Sequence, residues 1–163
     1  MLFQPQRFRD DRGEFIETWR AEWLPEAPRF VQHNLARRVG GSLVGLHYHR
    51  HQADYWVLVE GQMRVGLADL RRTAPTFRSS DAFDLAVGDA LYIPRGVAHG
   101  FAALTAITMT YAVDQYYDPA DELGVAWDDP EFAIDWGLNS PTLSDRDRAN
   151  PTLKQIKPSE LPS

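Results

Sequence analysis

Short apolar or alternating runs, each closed by Gly, Pro or Asp, recur along the first two thirds of the chain and predict strands rather than helices. The strands are expected at Arg29–Asn34, Ser42–His49, Tyr55–Val59, Gln62–Asp69, Ala90–Ile93 and Ile107–Val113. Turn formers stand between them: Gly40-Gly41, Glu60-Gly61, Val87-Gly88-Asp89 and Pro94-Arg95-Gly96. Many short strands joined in this way predict an all-β barrel or double-sheet jelly roll. The last third reads differently. Residues Tyr117–Glu122 and Ser140–Pro151 are turn-rich and predict loops with one or two short helices. Trp19 and Trp23 fall in a stretch that reads as strand or loop, and packing or subunit contact is their expected role.

Composition narrows the class. The chain has 163 residues, enough to bury a core without staples, and no linker or repeat divides it, so one domain over 1–163 is expected. Cysteine is absent, which excludes a disulfide framework and thiolate metal ligation. No apolar run reaches the length of a membrane span, and the start, MLFQPQRFRDDRG, lacks a signal-peptide core. A cytoplasmic location is therefore expected, with no membrane partner. The net charge of −6 argues against nucleic-acid binding, which needs clustered Lys and Arg. A small anion held by a few placed arginines remains compatible with it.

Four of the five histidines fall in or beside two glycine-bounded segments. The first is Gly41-Ser-Leu-Val-Gly-Leu-His47-Tyr-His49-Arg-His51-Gln-Ala-Asp54, closed by Gly61; the second is Gly88-Asp-Ala-Leu-Tyr-Ile-Pro94-Arg-Gly96-Val-Ala-His99. On a strand, His47, His49 and His51 would share one face. His99 follows a turn and could come from a facing strand. Imidazoles with a carboxylate suit Zn, Fe, Mn or Ni. The spacings resemble the two cupin motifs, with Asp54 where a metal-binding cupin usually has Glu. The pattern by itself leaves a metal site and a metal-free pocket equally open.

A longer resemblance runs from Phe8 to Pro151. It is carried by Arg12-Gly-Glu-Phe15-Ile-Glu17, Phe30-Val-Gln32-His-Asn34, Gly45-Leu-His47-Tyr and Asp69-Leu-Arg71-Arg-Thr-Ala-Pro-Thr-Phe77. It continues through Ile93-Pro-Arg-Gly-Val-Ala-His99-Gly-Phe101, Tyr116-Tyr-Asp-Pro, Trp127-Asp-Asp-Pro130 and Leu143-Ser-Asp-Arg-Asp147. In this order the phrases resemble the dTDP-4-dehydrorhamnose 3,5-epimerase family. The resemblance implies a cupin-type double-stranded β-helix, a jelly-roll barrel with short C-terminal helical or loop segments. It also implies a cofactor-free epimerase of a dTDP-sugar with a ketone at C4.

Such chemistry needs a base near neutral pKa, a proton donor on the opposite face and positive character near the enolate oxygen. By resemblance His47 is the base, Asp147 the carboxylate that orients it, and Tyr111 the acid. The same likeness assigns Arg12, Phe15, Glu17, Gln32 and Asn34 to the nucleotide end of the pocket, and His99 and Tyr116 to substrate binding. Part of the nucleotide set would cross the interface of a homodimer.

Two positions depart from the family pattern. Val44 stands where Arg is usual, and Gln52-Ala53-Asp54 replaces a phrase with Lys, so an anion stands where a cation would stabilise the enolate. His49 replaces a frequent Gln. Arg50, Arg64 or a metal could supply the missing charge. Two other functions follow from these departures. One is a metal-dependent cupin enzyme with His47, His49, Asp54 and His99 as ligands; the other is a sugar-nucleotide binding protein of weak activity.

Overall fold

The computed structural model describes residues 1–163. Its strands are β1 (Leu2–Phe3), β2 (Arg7–Asp10), β3 (Gly13–Ile16), β4 (Gln32–Arg38), β5 (Leu43–Tyr48) and β6 (Asp54–Glu60). They continue as β7 (Met63–Asp69), β8 (Ser80–Leu85), β9 (Ala90–Ile93), β10 (Val97–Ala103), β11 (Ile107–Val113) and β12 (Leu123–Gly124). One short helix, α1 (Asp145–Ala149), follows, with three isolated 3₁₀ turns elsewhere. No helix is long and apolar enough to cross a membrane.

Two antiparallel five-stranded sheets form the body, in the orders β1-β9-β6-β11-β4 and β12-β5-β10-β7-β8. They face each other as a jelly-roll barrel of the cupin type, and β2 and β3 make a separate hairpin. Between the sheets lies a core of residues including Leu58, Met63, Val65, Leu91, Ile93, Phe101 and Met109. Each sheet also buries its outer face. The N-terminal segment covers the first sheet, where Trp19 meets Tyr55 and Phe30 edge-on at centroid distances of 4.7 and 5.1 Å. Packing is thus what Trp19 does.

The C-terminal third covers the second sheet. Val125, Phe132, Trp136, Leu153, Ile156 and Leu161 pack on Leu43, Leu46, Ala98 and Ala102. Backbone bonds fasten this strap along β5, with Leu43 N–H donating to Thr142 O (2.9 Å) and Val125 N–H to Leu46 O (3.0 Å). Room for the Trp136 indole comes from Gly66 and Gly100, where a Cβ would stand 2.5 and 3.1 Å from the ring.

Three differences from the sequence pattern matter for the site. The strand expected at Arg29–Asn34 instead covers Gln32–Arg38, so its charged end is part of the sheet. β8 and β10 were not expected as strands. Finally, β5 ends at Tyr48, so the chain has turned before His51, which is exposed and outside the cavity between the sheets.

Candidate functional site

A cavity of about 140 Å³ opens between the sheets at their polar end. Cross-strand pairing builds one wall in rows. Asn34, Tyr111 and Trp56 lie side by side on β4, β11 and β6, with Gln32, Val113 and Asp54 in the next row. On the opposite wall His99 of β10 pairs with His47 of β5, and Phe101 pairs with Val44.

The second pairing contains an irregularity. Two steps along β10 match three along β5, so β5 carries an extra residue at Gly45–Leu46. That bulge lets both Val44 and His47 face the cavity, whereas strict alternation would send one of them outward. Gly45 sits at φ +118°, and a Cβ there would lie 2.7 Å from Gly100 Cα and 2.8 Å from His99 O. Only glycine fits this crossing without displacement.

His47 and Asp147 meet across 100 residues of chain, with His47 Nε2 2.5 Å from Asp147 Oδ1. Asp147 comes from α1, capped by Ser144, whose hydroxyl accepts from Asp147 N at 3.1 Å. The carboxylate is 4% exposed. Burial alone would push its pKa up, but the His47 hydrogen bond and charge, with help from Ser144 and Arg146, outweigh burial and hold it below the usual carboxylate range. An ionised carboxylate only accepts, so Nε2 carries the proton and donates, leaving Nδ1 with the lone pair. Nδ1 faces Glu122, whose Oε1 is 3.8 Å away and is held by Arg146 Nη1 at 3.0 Å. The arrangement is that of an oriented general base.

Tyr111 stands on the other wall. Burial first, then the charges of Asp54 and Glu122, raise its pKa, with a small opposing effect from Arg38. The phenol is therefore held protonated. His99 is buried and held near pKa 4, chiefly by burial and the proximity of His49 and His47, against Asp54 and the Val97 carbonyl, which favour its charged form.

His99 Nδ1–H donates to Val97 O (2.9 Å), and His49 Nδ1–H donates to Asp121 O (2.8 Å). Both Nε2 atoms then point their lone pairs away from the backbone. Asp54 accepts from Gln52 Nε2 at 2.8 Å and from Trp56 Nε1 at 3.0 Å. One ligand atom from each of His49, Asp54 and His99 lies within 4.8 Å of the other two. His47 is absent from this group: neither of its ring nitrogens joins the other three within that distance, and its Nε2 is engaged by Asp147. The expected four-ligand set thus divides into a triad and a separate base.

Other expected residues are placed as follows. Gln32 and Asn34 line the cavity and bond to each other at 2.9 Å. Arg12, Phe15 and Glu17 do not line it. The first two lie on the β2–β3 hairpin, where Arg12 pairs with Asp10 at 2.5 Å and Phe15 is 61% exposed. Tyr116 is 73% exposed and stays outside, while its neighbour Tyr117 reaches the lining. The two arginines expected to compensate for Val44 and Asp54 turn elsewhere: Arg50 bonds to Glu160 O, and Arg64 to Asp84 and Asp135. Arg38 is the one Lys or Arg in the lining. Extending β4 through it would have revealed it, since Gln32, Asn34, Ala36 and Arg38 repeat every second residue. Glu122 lies in a turn-rich stretch with no period to mark it.

Comparison with known proteins gives the family. A family model for dTDP-4-dehydrorhamnose 3,5-epimerase matches residues 1–155. A protein of that name from Pseudomonas aeruginosa is 37% identical over 91% of this chain and 87% of its own length. Another from Neisseria gonorrhoeae is 38% identical over 98% of this chain, which spans 52% of that protein. A solved Legionella pneumophila dTDP-6-deoxy-D-glucose-3,5-epimerase, in complex with dTDP-4-keto-L-rhamnose, superposes with a TM-score of 0.92. It is 33% identical and covers 99% of this chain and 91% of its own. The family model over residues 1–155, the relatives and the shared barrel together place the chain in the dTDP-4-dehydrorhamnose 3,5-epimerase family.

Proposed function

We propose that the chain epimerises a dTDP-linked 4-keto-6-deoxyhexose at C3, C5 or both, through an enolate. The observation that carries this reading is the His47–Asp147 contact, with His47 Nδ1 left free and Tyr111 across the cavity. The C4 ketone acidifies the neighbouring C–H bonds. His47 takes one of these protons, the electron pair enters the ring C–C bond beside C4, and the carbonyl oxygen takes the negative charge. Asp147 offsets the resulting imidazolium. Tyr111, kept as a phenol by its surroundings, gives a proton to the opposite face and inverts the centre. Solvent later restores both groups.

Gln32 and Asn34 are suited to polar atoms at the nucleotide end of the cavity. In this reading Arg12, Phe15 and Glu17 complete the pocket of a second subunit in a homodimer. Their position outside their own cavity supports it, as does the exposed phenyl ring, which suits stacking on thymine. Arginine suits the diphosphate through its planar donors.

The test is hydrogen exchange. Incubation with dTDP-4-keto-6-deoxyglucose in D2O should introduce deuterium at C3, C5 or both, read by mass spectrometry and NMR. His47→Ala should abolish it, and Asp147→Asn should slow it by about 10²–10⁴-fold. Tyr111→Phe should preserve exchange on the base side while formation of the inverted sugar falls. Binding of the dTDP-sugar with no exchange in the wild-type protein would overturn the reading and leave a sugar-nucleotide binding protein.

A further inference from the structure

We infer that His49, Asp54 and His99 form a three-ligand site for a divalent first-row transition metal, set in the wall of the cavity beside His47. Four observations converge on it. The potential ligand atoms of the three residues gather within 4.8 Å, and His99 Nε2 and Asp54 Oδ2 are 3.9 Å apart. Two metal–ligand bonds of about 2.1 Å span that gap. Both imidazoles spend Nδ1–H on backbone carbonyls, at Asp121 and Val97, which fixes the tautomer with Nε2 free. Outer hydrogen bonds of this kind hold metal-binding histidines in orientation.

Asp54 is likewise held, by the Gln52 amide and the Trp56 indole. All three residues are buried, so each is pinned before any ion arrives. Two imidazoles and one carboxylate leave the remaining coordination positions open toward the cavity, a donor set suited to Fe²⁺, Mn²⁺, Co²⁺ or Zn²⁺. His47 is not a ligand here, because its ring nitrogens lie outside the cluster that the other three residues form.

Charge gives the site its purpose. Asp54 and Glu122 both face the cavity, and Arg38 is the one Lys or Arg lining it. A carboxylate beside a developing enolate opposes the reaction, since like charges repel most strongly where water is excluded. A divalent ion on Asp54 reverses that sign. Its open positions can accept the ketone oxygen and spread the charge that appears there when His47 removes the proton. The binding site stands on the geometry alone; its role in catalysis rests on the epimerase reading above.

The experiment uses untagged full-length protein, stripped with a chelator and titrated with Co²⁺, Mn²⁺ or Zn²⁺ by calorimetry, with the Co²⁺ absorption spectrum as a second readout. About one equivalent should bind. The near-isosteric variants Asp54→Asn, His49→Gln and His99→Gln should each weaken binding by about 100-fold or more, with circular dichroism unchanged. His47→Asn should bind metal within about threefold of wild type, since His47 lies outside the cluster. Deuterium exchange should fall by about 10–10³-fold on stripping and return on reloading.

No binding of any of these ions, or binding that survives Asp54→Asn and His99→Gln, overturns the site. Equal exchange rates in stripped and loaded protein overturn its catalytic role. The two readings fail separately. Exchange without metal binding sinks the metal site and leaves the epimerase; a bound metal with no exchange in either form sinks the epimerase and leaves the site.

Discussion

Asp69 and Asp147 are both buried carboxylates with pKa values below the ordinary range, yet they are held there by different partners. Asp147 is tied to an imidazole that faces the cavity, whereas Asp69 is tied to its own turn. Its oxygens accept from Arg71 N and Nε at 2.9 Å, Arg71 Nη2 at 2.5 Å and Thr76 Oγ1 at 2.5 Å. Burial would raise its pKa; the hydrogen bonds from Arg71 and Thr76 and the guanidinium charge outweigh it. The Asp-Leu-Arg phrase at 69–71, part of the family likeness, is thus a clamp on the β7–β8 connection rather than a substrate contact. A depressed carboxylate contributes stability that is present above its unfolded pKa, about 3.9, and is lost as pH falls through the folded value. Asp69→Asn should cost about 1.5–3 kcal/mol at pH 7, and the gap from wild type should close in acid. Thermal melts at pH 7, 5, 4 and 3 check this. A constant gap would show that the clamp does not act through charge.

At the scale of elements, the bulge in β5 decides which residues meet. Its consequence is testable through Gly45→Ala, which combines a positive φ with a Cβ inside contact distance of β10. The expected loss is about 1–3 kcal/mol, or about 2–4 °C in Tm per kcal/mol for a chain of this size. Exchange at the sugar should fall by more than stability explains, because β5 carries His47; calorimetry beside the D2O assay measures both.

Several elements were legible in the chain. Strands β5, β6, β7, β9 and β11 follow their apolar runs and glycine turns, and Gly61, at φ +91° with Ala106 O 2.2 Å from a hypothetical Cβ, is where the turn requires it. The others hid for physical reasons. β8, reading SDAFDL, lies at a sheet edge with a mostly exposed face, so its polarity mimics a loop. β10, reading VAHGFAA, is buried on both faces between β5 and β7, so it shows no alternation. β4 ends in two arginines that an edge strand tolerates. The site was legible only in part. His47 and Asp147 are 100 residues apart, and no local period joins them; the family likeness supplied that link. The histidine triad was half visible, since alternation brought in His51 and could not show that His47 was already engaged.

For the whole molecule, the free edge of the first sheet is the feature that calls for a partner. β4 ends that sheet, its outward Leu35 is 56% exposed, and the hairpin bearing Phe8 and Phe15 leaves both rings partly open to water. An unpaired edge with apolar side chains is a surface that proteins generally cover. Sedimentation at micromolar concentration should give a dimer, and Leu35→Glu should yield monomer with the fold intact by circular dichroism. Monomeric wild-type protein with full activity would overturn the shared pocket.

The C-terminal strap has a consequence for the nascent chain. Strands through β11 are complete at Val113, but the carboxylate that orients His47 lies 34 residues further on, and Leu161 packs later still. At synthesis rates of about 5–20 residues per second, Asp147 follows the barrel by about 2–7 s. During that interval the outer faces of Leu43, Leu46, Ala98 and Ala102 have no cover, and His47 lacks the carboxylate that holds its Nε2. Arrival of the strap therefore does two things in one event. It hides the last large apolar surface and brings Asp147 to His47.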